Sequence, residues 1–155
     1  MSETFNLRKA QPNDVPIVED LVEEAYAKYL ERMDVKPGPL RDDYNKLVAD
    51  SVVWLADDGT RTIALIVLIP QADHLLLDNV AVRPDLQSRG LGRRLFDFAY
   101  AEARRLGYDE LRLYTAEAMT ENLQIYPHWG WVEYDRAVQK GYPRVFFRKT
   151  LPAAA

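Results

Sequence analysis

The segment 87–92 carries the residues of this chain that are best suited to bind an anion. It reads Gln-Ser-Arg-Gly-Leu-Gly, and we call it the glycine turn. Glycines at the start of a helix let the backbone approach a ligand closely, and the first N–H groups of a helix have no partner within it. These groups lie at the positive end of the helix dipole, where phosphate groups bind. The glycine turn therefore predicts a phosphate or pyrophosphate site.

The same residues argue against two other kinds of phosphate site. A P-loop continues from its last glycine with Lys and then Ser or Thr, whereas Gly92 is followed by Arg93 and Arg94. A dinucleotide-binding turn has a third glycine where this chain has Leu95. The arginines around the turn, including Arg89, are suited to reach further phosphate oxygens in bidentate fashion.

The elements that flank the glycine turn are predicted to be a strand and a helix. The run 75–82 is apolar and bounded, as in a buried strand, and Pro84 ends it. After the turn, apolar residues recur at helical spacing as far as Gly107, a natural helix stop. These apolar positions are Leu91, Leu95, Phe98, Ala99 and Leu106.

The remaining elements follow from the same period and breaker signals. The segments before the glycine turn predict a strand at 4–9, a helix from 13 or 14 to 30, a short helix at 40–50, and a hairpin of 51–56 and 62–69. Those after it predict a strand at 110–115, a short helix from 120 to about 126, and a closing hairpin of 132–138 and 144–150. Because Pro127 lacks an N–H, we expect the short helix to end or distort there.

Length and composition indicate one domain over residues 1–155, with a real hydrophobic core. The chain has no apolar stretch of membrane-spanning length and no signal-peptide pattern, so we expect a cytoplasmic protein without membrane contact. It has no cysteine and only two histidines, and we therefore expect neither disulfides nor a metal centre.

The charge is distributed unevenly. A net charge of −4 and a pI near 5.2 argue against a nucleic-acid partner. Residues 13–34 carry seven acidic and two basic side chains, whereas residues 83–105 carry six arginines and three acidic side chains. The basic segment contains the predicted phosphate site, and the acidic one favours a cationic ligand.

Two motifs in the right order resemble the GNAT superfamily of acyl-CoA-dependent N-acetyltransferases. The first is Val-x-Pro-x-x-Gln-x-x-Gly-x-Gly, from Val82 to Gly92. The second consists of Asn122 and Tyr126 on the short helix, followed by the pair 130–131, Gly-Trp. The resemblance covers essentially the whole chain. It implies an α/β (α+β) fold: a mixed, mostly antiparallel twisted sheet of six to seven strands, with helices on both faces and a splay between the fourth and fifth strands.

The resemblance also implies the site. Acetyl-CoA would be the cosubstrate, with its pantetheine arm in the splay and its pyrophosphate on the glycine turn. The cofactor-binding residues would be Val80, Ala81, Val82, Gln87, Ser88, Arg89, Gly90, Leu91, Gly92, Arg93 and Asn122. Acceptor contacts are expected from Tyr29, Met33, Tyr44 and Asp78. Tyr26 belongs to the same covering segment, while Trp54 and Tyr114 are interpreted as packing residues.

Two side chains are candidates for proton transfer. Tyr126 occupies the family's position for the acid that protonates the leaving thiolate; the alternative is a packed core tyrosine. Asp78 is our candidate base, because a carboxylate inside an apolar strand needs a reason to be there. A structural carboxylate bonded to backbone is the other interpretation. Asn79 is a weaker choice, because it points to the opposite side of the strand.

The predicted function is transfer of an acetyl group from acetyl-CoA to the primary amine of a small molecule, by direct attack in a ternary complex. Two alternatives remain open, acetylation of a protein or peptide amine and a non-catalytic acyl-CoA sensor. A homodimer is possible. The sequence does not identify the acceptor, the preferred acyl length or the oligomeric state.

Overall fold

A seven-stranded sheet forms the centre of the computed structural model, which describes residues 5–27, 42–87, 89–139 and 141–152. The strands are β1 (Asn6–Lys9), β2 (Val53–Asp57), β3 (Thr62–Pro70), β4 (Leu75–Val82), β5 (Glu110–Ala116), β6 (Val132–Gln139) and β7 (Tyr142–Thr150). Their order across the sheet is β1-β2-β3-β4-β5-β7-β6. Neighbours are antiparallel except β4 and β5, which are parallel.

The strands β4 and β5 pair only where they begin. Leu75 lies opposite Leu111 and Leu76 opposite Arg112, and no later residues of the two strands pair with each other. Beyond these pairs, β4 continues to Val82 and leaves the backbone edge that faces β5 without a β5 partner. The predicted mixed, mostly antiparallel sheet with a splay between its fourth and fifth strands is confirmed.

Helices cover both faces of the sheet, as predicted. They are α1 (Val15–Tyr26), α2 (Tyr44–Ala49), α3 (Leu91–Arg105) and α4 (Thr120–His128). Buried residues of α3 pack with β5 and β7 in one apolar cluster, against which α4 also packs. Buried residues of α1 and α2 pack with β2 and β3 in a second cluster on the opposite face. No helix among the described residues is long and apolar enough to cross a membrane.

Helix α3 follows the apolar spacing of its sequence. Its most deeply buried residues recur at helical spacing and form one face: Leu91, Leu95, Phe96, Ala99 and Ala103. Leu106, which the spacing placed on this face, is instead 42% exposed. Leu106 is the C-cap, where the chain leaves the helix, and Gly107 follows at a φ of +89°.

Strand β4 contains a bulge at Asp78. On β3, Val67 lies opposite Asn79 and Leu68 lies opposite Leu77, so Asp78 is an extra residue without a β3 partner. The bulge changes which side chains point to which face. Leu77 belongs to the cluster under α3, whereas Ala81, four residues later, belongs to the cluster under α1.

At Pro127, where we expected helix α4 to end or distort, the helix does not end. The helix runs to His128, with Pro127 in its last turn. The N–H of Trp129 still donates to the carbonyl of Ile125 at 3.1 Å. A proline this close to the helix end removes one hydrogen bond and leaves the helix otherwise intact.

Candidate active site

A cavity of about 380 Å³ lies where β4 and β5 diverge. Its walls come from β4, β5, β7, the beginning of α3, helix α4 and the end of α1. Many of the predicted site residues line it: Asp78, Val80, Ala81, Val82, Gln87, Gly90, Leu91, Gly92, Arg93, Asn122 and Tyr126. Arg89 and Tyr44 are not among the lining residues, and Ser88, Tyr29 and Met33 lie outside the described residues.

The glycine turn presents open backbone N–H groups at this cavity. Gly90 is the N-cap of α3, in the left-handed region with φ +83° and ψ 4°, and no described side chain caps the helix. The first intrahelical bond recorded at this end joins the N–H of Arg94 to the carbonyl of Gly90 at 3.2 Å. The N–H groups of residues 91–93 thus have no acceptor within the helix. A Cβ added at Gly90 or Gly92 would meet no heavy atom within 4 Å, so the space beside both glycines is open.

The two glycines are expected to respond oppositely to alanine. Gly90→Ala should lower the free energy of unfolding by about 1–2 kcal/mol, because an alanine at positive φ is strained. Gly92 has no such φ, and alanine has the higher helix propensity, so Gly92→Ala should not destabilise and should gain up to about 1 kcal/mol. Urea unfolding of both variants measures the difference. Equal stability of the two would contradict the left-handed backbone at residue 90.

Two side chains of the turn region have contacts that fix their positions. The Nε2 of Gln87 donates to the carbonyl of Val82 at 3.1 Å, which ties the turn to the end of β4. The guanidinium of Arg93 lies 5.4 Å from the ring centre of Trp129, and its Nε lies 3.5 Å from Oδ1 of Asp97. Gln87 therefore braces the turn, while Arg93 holds a positive charge at the cavity wall.

The arginine that follows Arg93 has a different position. Arg94 does not line the cavity, and its guanidinium lies 4.2 Å from the ring centre of Phe5. Its charge thus lies beside β1 and away from the cavity. Of Arg89, Arg93 and Arg94, only Arg93 lines the cavity.

Helix α4 supplies an amide and a phenol to the wall of the cavity. The Nδ2 of Asn122 donates to Oγ1 of Thr115 on β5 at 3.1 Å. The ring of Tyr126 stacks on Phe96, with 5.6 Å between ring centres and 27° between planes, and meets Phe147 edge-on at 5.6 Å. Tyr126 is therefore a packed aromatic residue that also lines the cavity. The packing fixes its ring, as a positioned acid requires.

Asp78, the extra residue of β4, places a carboxylate on the cavity wall. The hydroxyl of Tyr114 donates to Oδ1 of Asp78 at 3.2 Å. Burial raises the pKa of Asp78 above its ordinary value, and the Tyr114 hydrogen bond and the positive charge of Arg144 oppose that rise. Burial also raises the pKa of Tyr114 to about 12, so its hydroxyl remains a donor at neutral pH. Asp78 thus holds its proton to a higher pH than an ordinary aspartate.

Next to the bulge, a short polar network connects the sheet to α1 and α2. The buried Asn79 accepts at Oδ1 from the hydroxyl of Tyr26 at 2.7 Å, and its Nδ2 donates to the hydroxyl of Tyr44 at 3.2 Å. Tyr26 and Asn79 line the cavity, whereas Tyr44 lies behind them and is only 4% exposed. Burial raises the pKa of Tyr44. The network fixes the wall of the cavity on the α1 face.

Sequence reasoning missed several residues of this wall. Tyr114, interpreted as a packing residue, lines the cavity and bonds to Asp78. Asp42, Tyr142 and Arg144 also line it. The alternation of β5 indicates which face Tyr114 occupies, but no local pattern indicates that Asp78, 36 residues away, lies beside it.

Residues 49–133 match the family model described as the acetyltransferase (GNAT) domain. These residues make up more than half of the chain and include the glycine turn, Asp78, Asn122 and Tyr126. The chain belongs to the GNAT acetyltransferase family. The match ends before Arg144, so that part of the cavity wall is not covered by it.

Relatives of known sequence and structure agree with this membership. The uncharacterized N-acetyltransferase YvbK of Bacillus subtilis is 27% identical over 89 residues, which is 57% of this chain and 56% of that protein. The chain therefore matches just over half of the relative's length.

Solved structures of low sequence identity share the fold. The PaiA N-acetyltransferase from Thermoplasma acidophilum, in complex with coenzyme A, aligns with a TM-score of 0.76 at 15% identity, over 95% of this chain and 99% of that one. A GNAT family acetyltransferase from Elizabethkingia anophelis with acetyl-CoA bound aligns with a TM-score of 0.71 at 18% identity, over 97% and 100% of the two chains.

Proposed function

We propose that this GNAT-family protein is an N-acetyltransferase that transfers the acetyl group of acetyl-CoA to the primary amine of a small molecule. The observation that carries the proposal is the cavity at the splay, whose walls include the glycine turn, Asp78 and Tyr126. The proposed phosphate site, base and acid would therefore face a common space. The mixed charge of the wall, with carboxylates and guanidinium groups, suits a small polar acceptor.

The residues present fit acetyl-CoA. The open N–H groups at the start of α3 and the charge of Arg93 suit the pyrophosphate. The unpaired edge of β4 offers backbone groups for an extended chain of amides, as the pantetheine arm is. The two solved structures described above hold coenzyme A and acetyl-CoA, respectively. When bound, acetyl-CoA supplies an activated acetyl thioester that an amine attacks directly, without an enzyme nucleophile.

Asp78 would remove the proton from the incoming amine. A primary amine is mostly protonated at neutral pH and attacks only after losing that proton. Burial raises the pKa of Asp78 toward the working pH, which makes the carboxylate a better base than an exposed aspartate. The Tyr114 hydroxyl holds one carboxylate oxygen and leaves the other for the amine.

The unpaired edge of β4 and helix α4 would serve the other half of the reaction. A backbone N–H on the unpaired edge of β4 would donate to the carbonyl oxygen as negative charge develops on it, and one such donor is typically worth about 3–4 kcal/mol. The hydroxyl of Tyr126 would protonate the leaving thiolate. Its ring packs against Phe96 and Phe147, and this packing restricts the motion of the hydroxyl.

Calorimetry with acetyl-CoA, followed by thiol release with a panel of amines, tests the proposal. We expect binding of acetyl-CoA and release of free thiol with at least one small amine. No heat with acetyl-CoA would overturn the proposal. Binding without turnover on any amine would favour the sensor alternative, and turnover on peptides alone would favour a protein acetyltransferase. Gly92→Ala is a matched test of the phosphate site, because it should keep the fold and weaken acetyl-CoA binding.

A further inference from the structure

A second charged group lies on the same face of the sheet as Asp78. Arg144, on β7, lines the cavity, and its guanidinium lies 4.3 Å from the ring centre of Tyr114 and 5.2 Å from that of Tyr142. Its Nη1 donates to Oε1 of Gln139 at 3.2 Å. Among the described residues, no carboxylate lies within 4.0 Å of its nitrogens. Arginine has five N–H donors in a planar fork, so donors remain for a ligand.

Arg144 is on the wrong face to bind the phosphates of acetyl-CoA. Strand alternation puts Leu113 and Val145 in the cluster under α3, and therefore puts Tyr114 and Arg144 on the opposite face. The glycine turn lies at the beginning of α3 itself. Arg144 thus faces the side from which an acceptor would reach Asp78.

Tyr114 contacts both charged groups, Asp78 and Arg144. The hydroxyl of Tyr114 bonds to Asp78, while the face of its ring carries the guanidinium of Arg144. They interact electrostatically but are further apart than an ion pair. Asp42, also on the cavity wall, adds negative charge that acts on Tyr114. The acceptor side therefore has a negative end at Asp78 and a positive end at Arg144.

We infer that Arg144 binds a carboxylate of the acceptor, so that the acceptor is an amino acid or another small amine carrying a carboxylate close to its amino group. The inference rests on the proposed acetyltransferase function. In this arrangement the amino group of the acceptor lies beside Asp78. Its carboxylate binds the guanidinium nitrogens of Arg144 that do not bond to Gln139. Guanidinium and carboxylate match in bidentate geometry, and the flanking rings of Tyr114 and Tyr142 hold the fork in place.

The test compares amino acids with their carboxamides, which keep the amine and remove the negative charge. We expect kcat/KM, measured by thiol release, to favour the acid over its amide by about 10- to 100-fold, as for a charged hydrogen-bonded pair. Arg144→Gln should reduce this ratio to about one, mainly through KM, and Arg144→Lys should restore part of it. Arg136→Gln is the matched control, because Arg136 is exposed on β6 and pairs with Glu133.

A binding measurement separates this inference from the proposed function. Calorimetry of the protein saturated with coenzyme A should show heat with the amino acid that is absent with the amide and lost in Arg144→Gln. If acids bind in this way but no amine is acetylated, the acetyltransferase proposal fails while the carboxylate site stands. Two results would overturn the role of Arg144. One is that amino acids and their amides bind and react equally well in the unaltered protein, and the other is that the amino acids neither bind nor react.

Discussion

Replacing Tyr126 by phenylalanine is expected to lower kcat by about 100-fold or more, the usual contribution of a positioned general acid. The ring contacts with Phe96 and Phe147 remain in this variant, because only the hydroxyl is removed. The fold and the affinity for acetyl-CoA should therefore change little. Steady-state thiol release gives kcat, and calorimetry gives the dissociation constant of acetyl-CoA.

Tyr134→Phe provides the control for this measurement. Tyr134 is 41% exposed on β6 and is not among the residues that line the cavity. Losing its hydroxyl should leave kcat unchanged. If Tyr126→Phe keeps kcat within about threefold of the unaltered protein, Tyr126 is a packing residue and not the acid.

Asp78→Asn is expected to lower kcat/KM by about 100-fold or more at neutral pH, because the amide cannot accept the amine's proton. In the unaltered protein, kcat/KM should rise with pH as Asp78 loses its proton. Since burial raises the pKa of Asp78, this rise falls above the pH at which an ordinary aspartate ionises. The rise should be absent in Asp78→Asn, where only the ionisation of the amine remains. A pH profile of identical shape in both proteins would argue that Asp78 is structural.

The same substitution should stabilise the fold at neutral pH. A carboxyl group whose pKa is raised by folding binds its proton more tightly in the folded state, so stability falls as the pH rises through the raised pKa. The neutral amide avoids this cost and still accepts the hydrogen bond from Tyr114. Urea unfolding should show Asp78→Asn as the more stable protein at pH 7, with the difference vanishing below the pKa of an unfolded aspartate.

Lower activity with higher stability is the combination that distinguishes a catalytic carboxylate from a structural one. A structural Asp78 would be stabilising, and its replacement would lower the free energy of unfolding at neutral pH. The two measurements on a single variant therefore decide between the two interpretations that the sequence left open.

Much of the fold follows from local sequence. The apolar spacing of α3 and the glycine at its end predict that helix almost residue by residue, because both signals act within a few residues. The strand β4 is also predicted with its observed bounds, 75–82. Helix α4 is an exception, because it continues through Pro127 instead of ending there. A proline in the last turn removes only one hydrogen bond.

The bulge at Asp78 could not be predicted. Nothing in the run 75–82 marks it, because the segment contains neither glycine nor proline, and the polar pair Asp78 and Asn79 is equally compatible with a regular strand. The bulge exists because β3 and β4 pair with a shift between Val67 and Leu68. Such a register depends on both strands and on the clusters that each face joins, and no single segment encodes it.

The sequence by itself determined the glycine turn, the elements that flank it and the two motifs by which the chain resembles the GNAT superfamily. Tertiary structure alone decided what surrounds Asp78. Tyr114 and Arg144 come from strands that reach the proposed acceptor face only after β4 and β5 diverge and β7 pairs with β5. A helix terminus is built from consecutive residues, so its chemistry is local. An acceptor pocket is built from strands far apart in the chain, and its chemistry depends on how their registers align.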